Sequence, residues 1–558
     1  MSPSSHISYN IPDVMAVDYI VEGDRTANAV ACGESQLRGI WLGTWGQEPL
    51  IEERDVAAVR NIVNAIGTVP RVYNDAIFAR TVERVYDLTR SDQFDDVHVM
   101  ARLLELAGEE HVVGPLTDAT SAFETPSQIV NAFATLSPRL QQLGLDWTYT
   151  NIELPATDAV VAMGMNGLSV DTVRLGQLQT QRQIGLEILV HQIGETLGRL
   201  VDPDDDRQVR YMLYEELSIP IPFTTRNGTP CISGMALDAI ADFHQVIPLI
   251  RKYRSLSHES RTLRDLDAAV CRRTGRVRGK INPLGAETGR LSCSKFSLQN
   301  FPESLRELIR ADEGNVLIEA DISQAEFRVL AHFSEDSSLI QDLSDDSVCL
   351  HRRTAAGIFN KPEHNVTVHE RKVAKTINFG VIFGQEPIGL SRTIGISVPE
   401  AEDFINTFYH IRPDVREWIA FIDSLVSRQG FVQTLSGRRR RIPEASFSNT
   451  EWSRATAKRR AVSTIVQGSA ADLLKMALAK IEQSLPPSSR LLLTIHDSVL
   501  IEAPVEKTQH IVELVRESLG HPGIPLAVPI EVDVGVGQTW AECVSAKTVG
   551  ARTTCLSD

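Results

Sequence analysis

The spacing of hydrophobic and polar residues divides the chain into three stretches with different patterns. In residues 1–150, a strand-like apolar segment at 39–45 precedes amphipathic helical patterns such as 97–106, which is typical of an α/β unit. Residues 151–280 have mainly helical periodicity, and residues 281–558 combine apolar strands with long helices. The pattern therefore predicts an α/β multi-domain protein with boundaries near 150 and 280.

The second and third stretches contain the clearest individual elements. Helical periodicity runs over 172–200, and a further helix over 207–217 follows an aspartate-rich cap. Apolar strand patterns occupy 316–320 and 491–495, and an aspartate follows each of them within two residues. We expect long helices between these two strands.

The composition is that of an ordinary globular protein. Of the 558 residues, 42% are hydrophobic and 23% are charged, which is enough apolar material for several cores. No apolar run approaches the roughly 18 residues that a membrane span needs, and the N-terminus lacks the features of a signal peptide. The seven cysteines are scattered without a CxxC pair, so we expect reduced thiols, no zinc site and a cytosolic protein without a membrane partner.

The charge distribution bears on whether the protein binds nucleic acid. A net charge of −16 argues against such a partner, but the first lysine is Lys252 and the dense basic runs, 438–441 and 458–460, lie late in the chain. An acidic body with a local basic cleft still binds DNA, because phosphate contacts are short-range and screened beyond about 10 Å. The alternative for 438–441 is a solvated turn.

One segment carries two cations and two aromatic rings at intervals of four residues. Arg371, Lys375, Phe379 and Phe383 therefore share one face of a helix. A buried structural helix would line that face with aliphatic residues, and a solvated one would mix charges of both signs. This face instead suits a polyphosphate and a flat base and sugar.

Two aspartates end apolar strands and are candidate metal ligands. Asp321 follows the 316–320 strand, and Asp497 follows the 491–495 strand after His496. Phosphoryl transfer uses carboxylates that hold two Mg²⁺ ions about 4 Å apart. Either aspartate alone is more typical of a strand-end cap than of a metal ligand, and the pair together with the cationic helix favours metal ligation.

Together these motifs resemble the family A DNA polymerases. Residues 321–328, Asp-Ile-Ser-Gln-Ala-Glu-Phe-Arg, resemble the family's motif A, and His496-Asp497 at the tip of a β-hairpin resembles motif C. The helix bearing Arg371 and Lys375 resembles the nucleotide-binding fingers helix. The resemblance implies a right-hand polymerase fold of palm, fingers (inserted at about 340–430) and thumb (within 151–280), preceded by a degenerate ribonuclease H-like 3′→5′ exonuclease domain.

The resemblance also implies a reaction. A DNA-directed DNA polymerase adds dNTPs to a primer 3′-OH on primer-template DNA by two-metal phosphoryl transfer, in DNA replication or DNA repair. Asp321 and Asp497 would hold Mg²⁺, for which Mn²⁺ substitutes, and Arg371 and Lys375 would hold the triphosphate. Lys375 would also protonate the departing pyrophosphate.

Further positions of the resemblance concern nucleotide choice. Glu326 corresponds to a steric gate that packs against the ring at 383 and excludes a ribose 2′-OH; a helix-capping box with Ser323 explains this glutamate equally well. Gln324 and His351 correspond to residues near the incoming nucleotide, although a lone histidine is also often structural. Phe379 implies discrimination against dideoxynucleotides.

Several polar positions correspond to the family's DNA contacts. These positions lie in the motifs Thr-Gly-Arg-Leu-Ser and Leu-Gln-Asn-Phe-Pro and in a helix further along the chain. The DNA-binding positions implied are Arg290, Gln299, Asn300, Arg459, Gln467 and His496. Such contacts check base-pair geometry without reading sequence.

The resemblance to the proofreading domain lacks the acids that its chemistry needs. Asp18-Tyr-Ile20 stands where the first motif is D-x-E, and Ala79 follows Phe78 where an aspartate is expected. We therefore expect an inactive exonuclease domain and no proofreading. The chain is also too short for the 5′-nuclease region of the longest relatives, so we expect none.

Two rival functions are considered. A single-subunit RNA polymerase shares the palm and the cationic helix, but Glu326 and the Thr-Gly-Arg-Leu-Ser segment argue against it. A catalytically silent DNA-binding replisome scaffold is suggested by Ser498, where the family usually has glutamate, but does not explain the retained aspartates and cations. We expect a polymerase in the cytoplasm of a bacterial or phage-infected cell.

Overall fold

The computed structural model describes residues 15–543 apart from gaps at 23–26, 34, 45–49, 54–55, 67–68, 89, 110–125, 226, 346 and 448–449. The β-strands are β1 Met15–Glu22, β2 Gln36–Thr44, β3 Leu50–Glu53, β4 Arg71–Tyr73, β5 Phe94–Asp96, β6 Leu168–Ser169, β7 Val270–Cys271, β8 Arg276–Val277, β9 Lys280–Asn282, β10 Ser292–Ser294, β11 Asn315–Ile322, β12 Phe431–Gln433, β13 Arg439–Arg441, β14 Arg490–Ile495, β15 Ser498–Pro504 and β16 Val532–Gly537.

The α-helices are α1 Ala27–Cys32, α2 Val56–Ile66, α3 Ala76–Val85, α4 Val97–Ala107, α5 Pro126–Gln142, α6 Asp146–Thr148, α7 Leu154–Asn166, α8 Thr172–Leu197, α9 Asp206–Arg210, α10 Gly234–Ala239, α11 Val246–Ala269, α12 Ala325–Ser334, α13 Ser337–Ser344, α14 Leu350–Ile358, α15 Val368–Ile382, α16 Pro387–Ile394, α17 Val398–Ile411, α18 Pro413–Gln429, α19 Glu444–Phe447, α20 Glu451–Ser484 and α21 Thr508–Gly520.

The N-terminal part contains a five-stranded mixed sheet in the order β3-β2-β1-β4-β5. Strand β1 pairs antiparallel with β2 and parallel with β4, and β4 pairs parallel with β5. Strands and helices alternate here, as the pattern of an α/β unit predicts. The predicted strand at 39–45 falls largely in β2, with Trp45 outside the described residues, and the predicted helix at 97–106 is α4.

The middle part is helical, as its periodicity predicts. Helix α8 corresponds to the predicted helix over 172–200, and it packs along α11, to which Arg182 and Glu259 link it at 2.8 Å. The predicted helix over 207–217 is confirmed, with a change of helix type within it. Helix α9 ends at Arg210 and the chain widens into a π-helical turn at Tyr211–Glu216.

The C-terminal part is built around a four-stranded antiparallel sheet in the order β14-β15-β11-β16. Both apolar strand predictions are confirmed, as β11 and β14, and both strands are buried over most of their length. The 34-residue helix α20 contributes much of its length to the same core, and helices α12–α18 lie between β11 and the β12–β13 hairpin in the chain. The central sheet thus forms the platform of the molecule.

Two further expectations concern the cysteines and membranes. Cys32, Cys231, Cys271, Cys293 and Cys543 are free thiols. The expectation of reduced thiols stays a prediction. No helix among the described residues is both long and apolar enough to cross a membrane.

Candidate active site

A cavity of about 480 Å³ lies between the end of β11, the β14–β15 hairpin and helix α15. It brings together most of the side chains that the sequence selects. The predicted site residues that line it are Asp321, Asp497, Glu326, Gln324, Arg290, His496, His351, Arg371, Lys375 and Phe379. Carboxylates therefore occupy the sheet side of one cavity, and cations occupy the helix side.

The two aspartates meet because their strands are neighbours. Asp321 lies at the end of β11, directly opposite Ser498 on β15. His496 and Asp497 form the two-residue turn between β14 and β15, and His496 has a φ of +52° there. The backbone N–H of Ile322 donates to the carbonyl of Asp497 at 3.2 Å, which fixes the turn against β11. The predicted hairpin is confirmed.

The donor set suits a hard divalent cation. Burial raises the pKa of Asp497 to about 6, with Glu326 adding to the effect and Arg290 opposing it. A carboxylate with this environment gains from a bound cation. No group of three or more His, Cys, Asp or Glu side chains in the described part of the chain is arranged to hold a metal by itself. Mg²⁺ is commonly held by one or two carboxylates together with substrate phosphates, so Asp321 and Asp497 fit it.

Glu326 makes an ion pair rather than a helix cap. Helix α12 begins at Ala325, and its N-cap, Gln324, has a φ of +55° and no side-chain capping bond. The capping box with Ser323 is therefore absent. The carboxylate of Glu326 lies 2.5 Å from the guanidinium of Arg290, which is also 4.0 Å from Asp497. Burial raises the pKa of Glu326, while Arg290 lowers it.

Helix α15 presents its cations to the cavity. A capping box starts the helix, in which Thr367 and Glu370 exchange side-chain to backbone hydrogen bonds. One and two turns further on, Arg371 and Lys375 line the cavity. Arg371 and Lys375, the two cationic positions of the four-residue repeat, thus face the aspartates across the cavity.

The two aromatic positions of α15 differ from each other. Phe379 lines the cavity and packs edge-on against Phe327, with ring centroids 5.1 Å apart. Phe383 is the C-cap residue, packed against the core and outside the cavity lining. The helix ends one residue earlier than the four-residue repeat implies, because Gly384 follows with a φ of +68°.

His351 lies on α14 behind the two cations. Its Nδ1 is 2.9 Å from the amide nitrogen of Asn378, and its ring is edge-on to Phe327 with centroids 5.9 Å apart. Burial, together with the charges of Lys375 and Arg371, lowers the pKa of His351 to about 3. The imidazole is therefore neutral and is held by both polar and aromatic contacts.

The predicted DNA contacts divide into two groups. Arg290 and His496 line the cavity, whereas the other four positions lie outside it. Gln299 donates to the carbonyl of Leu291 at 3.4 Å, and Asn300 lines a separate cavity of about 770 Å³. On helix α20, Arg459 pairs with Glu386 at 3.0 Å and Gln467 is half-buried.

The basic run at 438–441 is not a solvated turn. Arg438 is 1% exposed and binds Glu153 and Asp472 at 2.5 Å each. Arg440 contacts Glu287, and Arg439 lies over the ring of Phe431 at 4.1 Å. Most of the arginines in this run therefore make contacts within the protein.

Asp533 lines the cavity from β16 and is absent from the residues that the sequence motifs predict. This strand pairs with β11 so that Asp533 stands opposite Asp321. An alternating strand pattern at 532–537 after a proline-containing loop is the signal that locates it.

The N-terminal sheet contains a cluster of buried ionic groups. Arg71 and Glu83 form a fully buried pair at 2.5 Å, and the hydroxyls of Tyr19 and Tyr73 donate to the same Glu83 oxygen. Asp18 lies on β1, and Ala79 is buried in α3. The inactivity of this part as a nuclease stays a prediction.

The antiparallel sheet with two aspartates below a cationic helix defines the class as a right-hand fold with a palm-like sheet. A solved structure described as the POL domain of Pol1 from M. smegmatis in complex with DNA primer-template and dNTP has the same fold. Its TM-score is 0.85 at 24% identity, covering 95% of this chain and 96% of that chain. The α/β right-hand polymerase fold expected from the sequence is confirmed.

Sequence comparisons identify the family. The model for DNA polymerase family A matches residues 172–542. Thermostable DNA polymerase I of Thermus filiformis is 36% identical over 419 residues, 74% of this chain and 50% of that protein. DNA polymerase I of Geobacillus stearothermophilus is 32% identical over 416 residues, 73% of this chain and 47% of that protein. The chain belongs to DNA polymerase family A and spans about half the length of the curated relatives it matches.

Proposed function

We propose that this protein is a DNA-directed DNA polymerase that adds dNTPs to the 3′-OH of a primer paired with template DNA. The observation that carries the proposal is one cavity with Asp321 and Asp497 on one side and Arg371 and Lys375 on the other. Family membership supports it, as does the structural neighbour, whose description names a DNA primer-template and a dNTP.

The metal requirement follows from the acids. Family A polymerases depend on a divalent metal, and we assign two Mg²⁺ ions here, with Mn²⁺ as a substitute, to Asp321 and Asp497. The bound metal supplies activation of the primer 3′-OH and charge neutralisation on the phosphates. Arg290 partly neutralises the acidic side of the cavity, since it lies 4.0 Å from Asp497 and 2.5 Å from Glu326.

The cationic helix binds the triphosphate. Arg371 offers a fixed fork of donors, and Lys375 offers a mobile ammonium that donates a proton to the departing pyrophosphate oxygen. His351 is neutral, so it accepts or donates one hydrogen bond without adding charge. Phe379 provides an aromatic face for the nucleotide, supported from behind by Phe327.

Nucleotide choice rests on Glu326 and its surroundings. The side chain is fixed by Arg290 and is 11% exposed, so it forms a rigid wall of the cavity. A ribose 2′-OH pressed against this wall would clash and lose its water, which disfavours ribonucleotides. This assignment, and the role of Gln324 beside it, rests on the family motif and the cavity lining.

The remaining parts are assigned from the family pattern. We assign the thumb and connecting helices to 151–280, the palm to 281–558 and the fingers to about 340–430. Residues 1–150 form an exonuclease-like domain that lacks proofreading activity. The bacterial relatives support a cytoplasmic protein of a bacterial or phage-infected cell.

Primer extension tests the proposal. A 5′-labelled primer on a longer template is incubated with Mg²⁺, with and without dNTPs, beside Asp321→Asn and the exposed-charge control Asp403→Asn. We expect elongation by the wild type and the control only, and an unshortened primer without dNTPs.

Three results would contradict parts of this function. Failure to elongate in Mg²⁺ or Mn²⁺ with duplex binding intact would favour a DNA-binding scaffold. Efficient elongation with ribonucleotides would favour an RNA polymerase. Primer shortening without dNTPs would show an active exonuclease.

A further inference from the structure

Three side chains stand in a row across the central sheet at the catalytic end. Asp321 on β11 is paired with Ser498 on β15 on one side and with Asp533 on β16 on the other. Residues directly opposite each other in antiparallel strands point to the same face, with Cβ atoms about 4.5–5.5 Å apart. Asp533 therefore stands beside Asp321 on the face that lines the cavity.

Asp533 has no ionic or hydrogen-bonding partner for its carboxylate among the described residues, although it is half-buried. Glu531, two positions earlier, pairs with Arg328 at 3.3 Å, as a structural acid does. An unpaired carboxylate next to Asp321 adds electrostatic repulsion and makes no stabilising contact that would compensate for it. This placement calls for a positively charged occupant of the cavity.

The opposite neighbour of Asp321 carries no charge. Ser498 is 9% exposed, and its hydroxyl donates to the carbonyl of Ile495 at 3.0 Å, within the hairpin. Beside Asp321 in the sheet, the additional carboxylate therefore comes from Asp533 on β16 rather than from the residue after Asp497.

We propose that Asp533 is a positioning residue for the catalytic metal, acting through a metal-bound water next to Asp321. The inference rests on the proposed function. A direct ligand role is not assigned, since no three acidic side chains in the described structure are arranged to hold a metal. Mg²⁺ keeps several of its waters, and acids that bind those waters tune its affinity.

Metal binding measured without turnover tests the role. The full-length protein is bound to primer-template DNA ending in a dideoxynucleotide, and Mn²⁺ is titrated while free Mn²⁺ is followed by electron paramagnetic resonance. The variants are Asp533→Asn, Asp533→Glu, Asp321→Asn and the exposed-charge control Asp403→Asn. Thermal unfolding of each metal-free variant is measured in parallel.

We expect Asp533→Asn to weaken Mn²⁺ binding about tenfold. Asp533→Glu should stay close to the wild type, and Asp403→Asn should equal it. The metal-free Asp533→Asn protein should be at least as stable as the wild type, because no partner of Asp533 is lost. A structural role would instead lower stability.

Two failures are distinguishable. If Asp321→Asn abolishes Mn²⁺ binding but Asp533→Asn binds like the wild type, the role of Asp533 is overturned and the proposed function stands. If Asp321→Asn also binds like the wild type, the metal site itself is wrong, and the inference falls with it. If Asp533→Asn and Asp403→Asn weaken Mn²⁺ binding equally, the effect comes from the net charge of the protein and not from the position of Asp533, which would also overturn the proposal.

Discussion

Replacing Arg438 by methionine should destabilise the protein, although this arginine belongs to a basic run that the charge distribution offers as part of a DNA-binding cleft. Its guanidinium binds Glu153 and Asp472 at 2.5 Å each, and Lys475 binds Glu153 at 2.8 Å. All four groups are buried. Two acids and two bases therefore balance one another where the turn before α7 meets the β12–β13 hairpin and α20.

The magnitude follows from the charge that the substitution leaves behind. Without Arg438, Lys475 still neutralises one carboxylate, and the interior keeps one uncompensated negative charge. Unit charges about 3 Å apart at an effective dielectric constant of about 20 interact by about 5 kcal/mol. Measured losses on removing one partner of a buried pair are about 3–5 kcal/mol. We expect the free energy of unfolding to fall by about 4 kcal/mol.

Urea unfolding followed by tryptophan fluorescence measures the effect. The double variant Arg438→Met/Asp472→Asn removes the uncompensated charge and should recover at least about half of the loss. Arg441→Met changes an exposed arginine of the same hairpin and should alter stability by no more than about 0.5 kcal/mol.

The reasoning would be refuted by a small or additive effect. A loss below about 1 kcal/mol for Arg438→Met would show that the cluster does not stabilise the fold. A double variant as unstable as the sum of its parts would show that the two groups do not interact. Weaker duplex binding with a smaller salt dependence would instead make Arg438 a phosphate contact.

Three further outcomes are expected. Glu326→Ala should raise ribonucleotide incorporation relative to deoxynucleotides roughly 5- to 150-fold in single-nucleotide extension, since a clash of about 1–3 kcal/mol is removed; unchanged discrimination would exclude the gate. Burial raises the pKa of Asp96 from 3.8 to about 7 in the folded protein. The folded state therefore holds the proton more tightly than the unfolded state, and this contribution to stability is complete below about pH 4 and is lost as the pH rises through 7. Raising the pH from about 5.5 to 8 should therefore cost about 2 kcal/mol of N-terminal stability through Asp96, seen in thermal unfolding. Asp96→Asn should remove this part of the change and leave the smaller part that comes from Asp95, whose pKa burial raises to about 6. Burial raises the pKa of Cys271, but hydrogen bonds with Thr274 and Cys32 outweigh this effect and lower the pKa to about 7, whereas burial raises the pKa of Cys293. Iodoacetamide at pH 7 should therefore label Cys271 before Cys293, which peptide mass spectrometry would measure.

Local sequence patterns predict which side chains gather at the two faces of the cavity. Asp321 and Asp497 each follow an apolar strand, and strand ends of one sheet meet at one edge. Arg371 and Lys375 share a helix face whatever the tertiary fold. The fold class and the central strands follow from the same periodicities.

Other features depend on contacts between distant segments, which periodicity does not encode. Arg438 is indistinguishable from its basic neighbours until Glu153, 285 positions away, is brought beside it. Asp533 acquires its place only through the pairing of β16 with β11. Glu326 fits a helix-capping pattern in the sequence, but in the structure its carboxylate forms an ion pair with Arg290.

The most direct test of the central claim is single-turnover incorporation of one correct dNTP into a preformed complex with primer-template DNA. Rapid-quench rates are compared for the wild type, Asp497→Asn and Asp403→Asn. We expect equal rates for the wild type and Asp403→Asn, and a loss of about 10³-fold or more for Asp497→Asn with DNA affinity retained. An unchanged rate in Asp497→Asn, or no incorporation by the wild type, would contradict the assignment of this cavity as a polymerase active site.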